Sequence, residues 1–333
     1  MDGIETSATA MLRGFPLACP RDGESLYAEG AALRCHRCGT CFPVVGGVPV
    51  LIDDEASAFA IADYQSGDGY TGPSYGREAD RASGVRRLYR RVARWLGDTG
   101  SSIRHPDPAD ALAYVAASRP NPRVLVIGSG GLRFGGVDDH VLHSDVAFGP
   151  AVDAIADAHG LPFPDGVFDL VVAVAVLEHV ADPARCVAEI WRVLDQGGHV
   201  FAVTPFLQPV HMGAYDFTRF TPIGHRRLFR RFDEVAAGVA MGIGSVTAWT
   251  FGALLQSVSP GRRWRLIARG FGLLCTPPLR LLDGLLRHGA DAAGGCWFFG
   301  RRRDGAPVSD RALVGTYHAQ FAHGPERLPA PDA

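Results

Sequence analysis

The chain is 333 residues long, 47% of them apolar, with a formal net charge of −2. That length suits two domains or one large domain with an appendage, and the charge gives no general attraction to nucleic acid. No apolar run approaches the roughly twenty residues that span a bilayer, and the opening segment lacks the long apolar core of a secretion signal, so a cytoplasmic location is expected. Seven cysteines, four of them crowded between Cys19 and Cys41, fit a metal site in a reducing compartment better than a disulfide framework.

In chain order, the first unit spans 1–53. Leu17-Ala-Cys-Pro-Arg-Asp22 and Leu33-Arg-Cys-His-Arg-Cys-Gly-Thr-Cys41 read as two knuckles separated by a short hairpin. The Cys35-x-x-Cys38 gap lets two thiolates grip one tetrahedral ion, and Cys19 supplies a third ligand. For the fourth, Asp22, Cys41 and His36 remain open, and a ribbon folded on packing alone without metal is the alternative. Together with Phe42-Pro-Val-Val-Gly-Gly-Val-Pro-Val-Leu-Ile52, these knuckles resemble the zinc-ribbon domain related to the small activator protein of tRNA and protein methyltransferases. The resemblance implies a structural Zn²⁺ on Cys19, Asp22, Cys35 and Cys38, with Asp22 departing from the usual four cysteines, and it allows a protein partner at the ribbon.

The unit 54–107 begins with residues 54–83, which read as a linker, or a mobile cover over a site in which Tyr64, Tyr70 and Tyr75 touch substrate, followed by a basic amphipathic helix over 84–96. A domain over 108–303 begins with a helix at about 108–118. Val124-Leu-Val-Ile127 is a strand buried on both faces, and Gly128-Ser-Gly-Gly131 is a turn in which the backbone can approach a ligand. The second strand, 141–145, ends in Asp145, placed to accept hydrogen bonds from an adenosine ribose. A short strand runs to Asp157, and a buried strand spans 168–176 after a Pro/Asp/Gly turn.

The order of glycine loop, Asp145, Ala156-Asp157-Ala158, Leu161-Pro-Phe-Pro-Asp-Gly-x-Phe-Asp169, Val176-Leu-Glu-His-Val180 and Val193-Leu-x-x-Gly-Gly198 resembles the class I S-adenosylmethionine-dependent methyltransferases. The resemblance implies an α/β, Rossmann-like seven-stranded sheet with helices on both faces. It further implies that Gly128, Ser129 and Gly130 pass the cofactor's amino-acid part, that Asp145 holds its ribose, and that Asp157 and Ala158 bind adenine. His179 is then either a base or a helix-start residue beside the methyl group. Val126 stands where the family has an acidic residue and Leu132 where it has a third loop glycine, two departures that bear on cofactor affinity.

A helix capped by Asp182 and stopped by Gly197-Gly198 leads into a fifth strand at 199–204. The following loop, 205–222, should wall the substrate site. It offers His211 or Asp216 as a general base and Phe206, Tyr215 and Arg219 as substrate contacts, unless Asp216 and Arg219 simply pair with each other. The motif Pro-Phe-x-x-x-x-His-x-x-x-Tyr-Asp-Phe-x-Arg-Phe-Thr in this loop is similar to enzymes found near glycan-assembly genes.

A helix over 221–230 and a strand over 232–240 follow. Apolar helices between 247 and 288, edged by Arg263, Arg265, Arg269, Arg280 and Arg287, are expected to cap the sheet, with peripheral membrane contact as the minority alternative. A last antiparallel strand spans 295–300, and the tail 304–333 is expected to be loose. The function expected is methyl transfer from S-adenosylmethionine to an oxygen or nitrogen on a small-molecule, glycan or lipid-linked acceptor. An RNA-base methyltransferase with a ribbon that reads RNA is the first alternative, disfavoured by the weak charge. The other is a degenerate methyltransferase serving as a binding or scaffold module.

Overall fold

The computed structural model describes residues 4–5, 9–66, 103–130, 134, 140–286, 290–317 and 324–331. The expected helix over 84–96, Tyr70, Tyr75, Leu132, Arg287 and most of the 54–107 linker lie outside the described residues.

The N-terminal unit is entirely β. Short strands β1 (Ile4–Glu5), β2 (Met11–Leu12) and β3 (Phe15–Pro16) make a small antiparallel sheet. Two hairpins follow, β4 (Leu26–Glu29) with β5 (Ala32–Cys35), and β6 (Cys41–Val45) with β7 (Val48–Leu51). Gly46 and Gly47, at φ +59° and +87°, form the two-residue loop between β6 and β7, the positive-φ pair whose twist matches that of its strands.

Seven further strands form the main sheet: β8 (Val124–Ile127), β9 (Val141–Asp145), β10 (Ala154–Ala156), β11 (Phe168–Val174), β12 (Leu194–Pro205), β13 (Phe232–Met241) and β14 (Gly295–Arg302). Their spatial order is β10-β9-β8-β11-β12-β14-β13. All neighbours from β10 to β12 are parallel, and β14 is antiparallel to both of its neighbours. Strand order reverses between β8 and β11, so the crevice beyond their carboxyl ends is the natural ligand site of such a sheet. Val124, Leu125, Val171, Val200 and Phe201 are fully buried or nearly so, as expected of strands covered on both faces.

The ribbon does not stand apart from this sheet. Strand β7 pairs in parallel with β10, Val50 opposite Ile155 and Leu51 opposite Ala156, so the two units share one sheet of eleven strands. Val50, Leu51 and Ile52 are fully buried. An otherwise open edge is thereby covered, which removes a row of unpaired backbone groups. The chain then crosses the carboxyl end of the sheet as α1 (Ile61–Gln65), whose Tyr64 is buried with its hydroxyl donating to Val146 O at 2.6 Å.

Helix α2 (Pro108–Ala116) starts on a capping box of Asp107 and Asp110, and α3 (Pro183–Val193) on Asp182, whose side chain accepts from Arg185 N at 3.0 Å. Several sequence expectations are corrected here. Gly197-Gly198 does not stop α3, because the chain is already extended from Leu194 and the glycines lie inside β12. Strand β11 ends at Val174, and Ala175 takes a left-handed φ of +54°. The tail is not wholly loose, since a helix forms at Asp310–Thr316 whose Asp310 pairs with Arg227 at 2.9 Å.

Helix α4 (Pro222–Leu228) is capped by Thr221. The region expected to hold several apolar helices holds two, α5 (Ile243–Ser257) and α6 (Arg262–Leu285), packed as a hairpin. Buried Asp283 of α6 accepts from the Gly244 and Ser245 backbone N–H groups and from the Ser245 hydroxyl, closing the N-terminus of α5. A Cβ on Gly244 would lie 1.9 Å from Leu279 O, so only glycine permits this crossing. The helices pack on each other and on the turn at Ala290–Ala292 rather than over a strand, so the expected cap over the sheet is not what they form. Leu254, Val258, Leu266, Ile267, Leu274 and Leu281 are exposed, the last two at 70% and 72%.

Candidate active site

A cavity of about 240 Å³ opens at the carboxyl ends of β8 to β11, at the point where strand order reverses. Its floor is the turn after β8. Gly128 sits at φ +66°, and a Cβ there would come within 2.3 Å of Val176 Cγ2, so the backbone is brought against the segment after β11 by the absence of a side chain. Gly130, at φ +61°, donates its N–H to Asp145 Oδ2 at 2.8 Å, and Ala147 N donates to Oδ1 at 3.0 Å. Asp145 is therefore fixed at the end of β9, and each carboxylate oxygen can accept more than one hydrogen bond. Ser129 Oγ beside it is buried without a hydrogen-bond partner.

Asp157 follows β10. One carboxylate oxygen accepts from His159 N at 3.0 Å and lies 2.6 Å from His159 Nδ1, while the other accepts from the Ser57 hydroxyl. Burial alone would raise this carboxyl's pKa, but the bonds from His159 and Ser57 outweigh it and hold the group below the ordinary carboxylate range. Ala56, Ala58 and Phe59 complete the wall above it, and Phe59 stacks on Tyr215 with centroids 5.6 Å apart. Residues 56–59 of the 54–83 segment thus lie over the cavity, as a cover would.

The turn after β11 supplies the third side. Ala175 and Val176 line the cavity, and the carbonyl of buried Glu178 accepts from Phe217 N at 2.8 Å and Thr218 N at 3.2 Å, tying the loop after β12 to this turn. Among the described residues neither Glu178 carboxylate oxygen has a hydrogen-bond partner, and burial pushes its pKa up to about 8. His179 Nδ1 lies 2.8 Å from Tyr215 O, and its Nε2 lies 3.1 Å from His211 Nε2. Burial lowers the pKa of His179.

Of the residues expected from sequence, Gly128, Asp145, Asp157, Ala158, His179 and Tyr215 line this cavity. Three substrate-loop expectations are redirected. Asp216 is gripped by both terminal nitrogens of Arg219, and that pairing holds its pKa far below the usual range, leaving a carboxylate too weakly basic to abstract a proton. Arg219 is spent on Asp216 and on the carbonyls of Gln208, Pro209 and Thr218. Phe206 continues the β12 strand, its N–H donating to Gly294 O, and Phe217 takes the apolar place in the wall instead. His211 faces a second cavity, of about 310 Å³, between this loop and the α5–α6 pair, where Trp249, Gln256 and Arg269 also contribute.

In the ribbon, donor atoms of Cys19, Asp22, Cys35 and Cys38 all lie within 4.8 Å of one another. The Cys19 and Cys38 sulfurs are 3.7 Å apart, close to the roughly 3.8 Å edge of a Zn²⁺ tetrahedron with Zn–S near 2.3 Å, and Asp22 Oδ1 is 3.4 Å from Cys35 Sγ. Of the other candidates, His36 packs against Tyr27 and Cys41 is exposed outside the cluster.

Residues 137–202, which hold β9 to most of β12, match the family described as a methyltransferase domain. Over these residues the chain is similar to methyltransferase domains. Similar proteins include the ubiquinone/menaquinone biosynthesis C-methyltransferases UbiE of Psychromonas ingrahamii, 29% identical, and Saccharophagus degradans, 31% identical. Each match covers 42% of this chain and 48% of the relative, so the chain spans about half the length of the curated relatives it matches. Among solved structures, phosphoethanolamine N-methyltransferase 2 of Haemonchus contortus superposes with a TM-score of 0.36 at 13% identity, over 64% of this chain and 56% of that one. Ser57 and Phe59 are the parts of the cavity and its border that no sequence signal marked, because each reaches the site by a long-range contact.

Proposed function

We propose that the protein transfers a methyl group from S-adenosylmethionine to a nucleophilic atom of an amphipathic, lipid-linked acceptor. The observation that carries the cofactor half is the cleft itself, in which a side-chain-free turn at Gly128 and two fixed carboxylates, Asp145 and Asp157, stand at successive strand ends. These residues fit the cofactor: backbone at Gly128 to Gly130 beside its amino-acid part, Asp145 for the ribose hydroxyls, Asp157 and Ala158 for adenine. The sulfonium supplies a methyl carbon that is already electrophilic, so the protein's task is alignment and exclusion of water. Phe59, Tyr215 and Phe217 give the cleft an apolar rim, and the Ser57 hydroxyl ties the Phe59 segment to the Asp157 carboxylate.

The acceptor half rests on the second cavity and its flank. Exposed leucines on α5 and α6 lie beside Arg262, Arg263, Arg265 and Arg269, apolar area bordered by positive charge, which suits an anionic lipid surface. No described helix is long and apolar enough to cross a membrane. The relatives' names place them in ubiquinone/menaquinone biosynthesis, which accords with an apolar acceptor. In the ribbon, Zn²⁺ on the Cys19–Asp22–Cys35–Cys38 cluster would serve as a staple.

The test is transfer of labelled methyl into lipid-extractable and water-soluble fractions in the presence of anionic vesicles, with Asp157→Ala as the blank. Label in the lipid fraction, lost in the variant, is the expected result. Absence of S-adenosylhomocysteine binding at millimolar concentration would sink the cofactor half, and label confined to water-soluble products would sink the acceptor half.

A further inference from the structure

Where the loop after β12 meets the turn after β11, His179 Nε2 and His211 Nε2 face each other at 3.1 Å, their rings nearly perpendicular at 79°. The outer nitrogens explain why this contact is unusual. His179 Nδ1 is 2.8 Å from a backbone carbonyl, that of Tyr215, and a carbonyl can only accept, so the proton of the neutral ring sits on Nδ1. His211 Nδ1 is 3.5 Å from Asp216 Oδ2, a carboxylate kept charged by Arg219, and that charge favours a proton on Nδ1 there as well. Both inner nitrogens then present lone pairs to the same point. Two lone pairs at 3.1 Å repel unless a positive charge lies between them.

A third donor points to the same place. Glu178 is fully buried, neither of its carboxylate oxygens has a hydrogen-bond partner among the described residues, and Oε1 lies 3.6 Å from His179 Nε2. A buried carboxylate in this condition calls for an explanation, since such groups are almost always partnered. The three donor atoms lie within 4.8 Å of one another, and the 3.1 and 3.6 Å separations bracket the roughly 3.4 Å edge of a tetrahedron with metal–nitrogen bonds near 2.0–2.1 Å.

We propose that Glu178, His179 and His211 form a binding site for a first-row divalent cation of the Zn²⁺ class. Two imidazoles and one carboxylate are a donor set that such ions take, and three protein ligands leave a coordination position open. Tyr215 O and Asp216 orient the two rings from behind, as outer partners of metal-bound histidines do. The site stands at the junction of the two cavities, His179 lining the first and His211 the second. Its open position therefore suits an acceptor that carries an ionisable oxygen. That last assignment rests on the methyl-transfer reading; the cation site does not.

Cation binding is measured on the full chain without cofactor or acceptor, so its outcome is independent of that reading. Chelator-stripped protein is dialysed against Zn²⁺ and its bound metal counted by elemental analysis, for the parent, His211→Ala and Glu178→Gln. His211 is exposed, so its replacement leaves the core intact. Each variant is expected to bind about one zinc equivalent per chain fewer than the parent. Co²⁺ loading of His211→Ala should retain whatever thiolate-to-metal charge-transfer absorption the ribbon gives in the parent, locating the loss at the histidines. Equal metal content in parent and His211→Ala would overturn the proposal and leave a proton shared between the rings as the content of the 3.1 Å contact.

Discussion

At Gly128 a single hydrogen in place of a side chain sets the depth of the cleft. Its φ of +66° is one that L-residues adopt at a cost, and a Cβ at this position would meet Val176 Cγ2 at 2.3 Å. Gly128→Ala is therefore expected to cost about 1–3 kcal/mol of stability and to weaken S-adenosylhomocysteine binding by more than about tenfold, read by thermal unfolding and calorimetric titration. A second change, Val176→Ala, removes the clash but not the backbone strain and should restore only part of the loss. Full affinity in Gly128→Ala alone would refute this account of the turn. Asp145 is legible in the sequence as a carboxylate at a strand end, and Asp157 through the family resemblance. The contacts of Ser57 with Asp157 and of His211 with His179 are not legible there, because they join segments tens of residues apart.

Among the elements, α4 shows how burial sets a pH response. His225 lies wholly inside an aromatic nest of Phe220, Phe229 and Phe298, and burial drops its pKa to about 3, with Arg226 adding to the effect. His199 on β12, stacked on Phe299, falls to about 4, chiefly through burial. Both folded values lie below the ordinary value of 6.5. Below pH 6.5 the unfolded chain therefore binds protons that the folded chain refuses. Stability is complete above that pH and declines towards about pH 4 for His199 and about pH 3 for His225, by up to about 1.4 kcal/mol per pH unit for each histidine. His225→Phe, which the nest can accommodate, should flatten the acid limb of a stability–pH curve, and an unchanged slope would show that His225 is not among its causes. The sequence placed α3, α4 and the strands to within a few residues through caps and apolar runs. It misjudged the end of α3, because paired glycines read equally as a helix stop or as part of an extended strand.

Across the whole molecule, the ribbon and the methyltransferase domain share one sheet, and that changes what metal loss should do. Strand β7 carries Val50, Leu51 and Ile52 into the core beside β10. If Zn²⁺ staples the ribbon, chelation should lower a single cooperative unfolding transition, because loosening β7 exposes the β10 edge next to Asp157. Asp22→Cys, which completes a four-thiolate set, should make that transition more resistant to chelator. Two separate transitions in a calorimetric scan, with the larger unmoved by chelator, would show instead that the ribbon is energetically independent.

The sequence by itself determined the strands' apolar runs, three clustered cysteines of the ribbon, the glycine turn and the carboxylate that ends β9, because each is written in short-range periodicity or spacing; the fourth ribbon donor and Asp157 came from family resemblance. The tertiary structure decided the rest. It joined the ribbon to the sheet edge, laid Ser57 and Phe59 over the cleft, and brought His211 to the neighbouring pair Glu178 and His179. These are consequences of which buried surfaces and lone pairs meet once the chain has closed on itself, because the partners come from segments tens of residues apart.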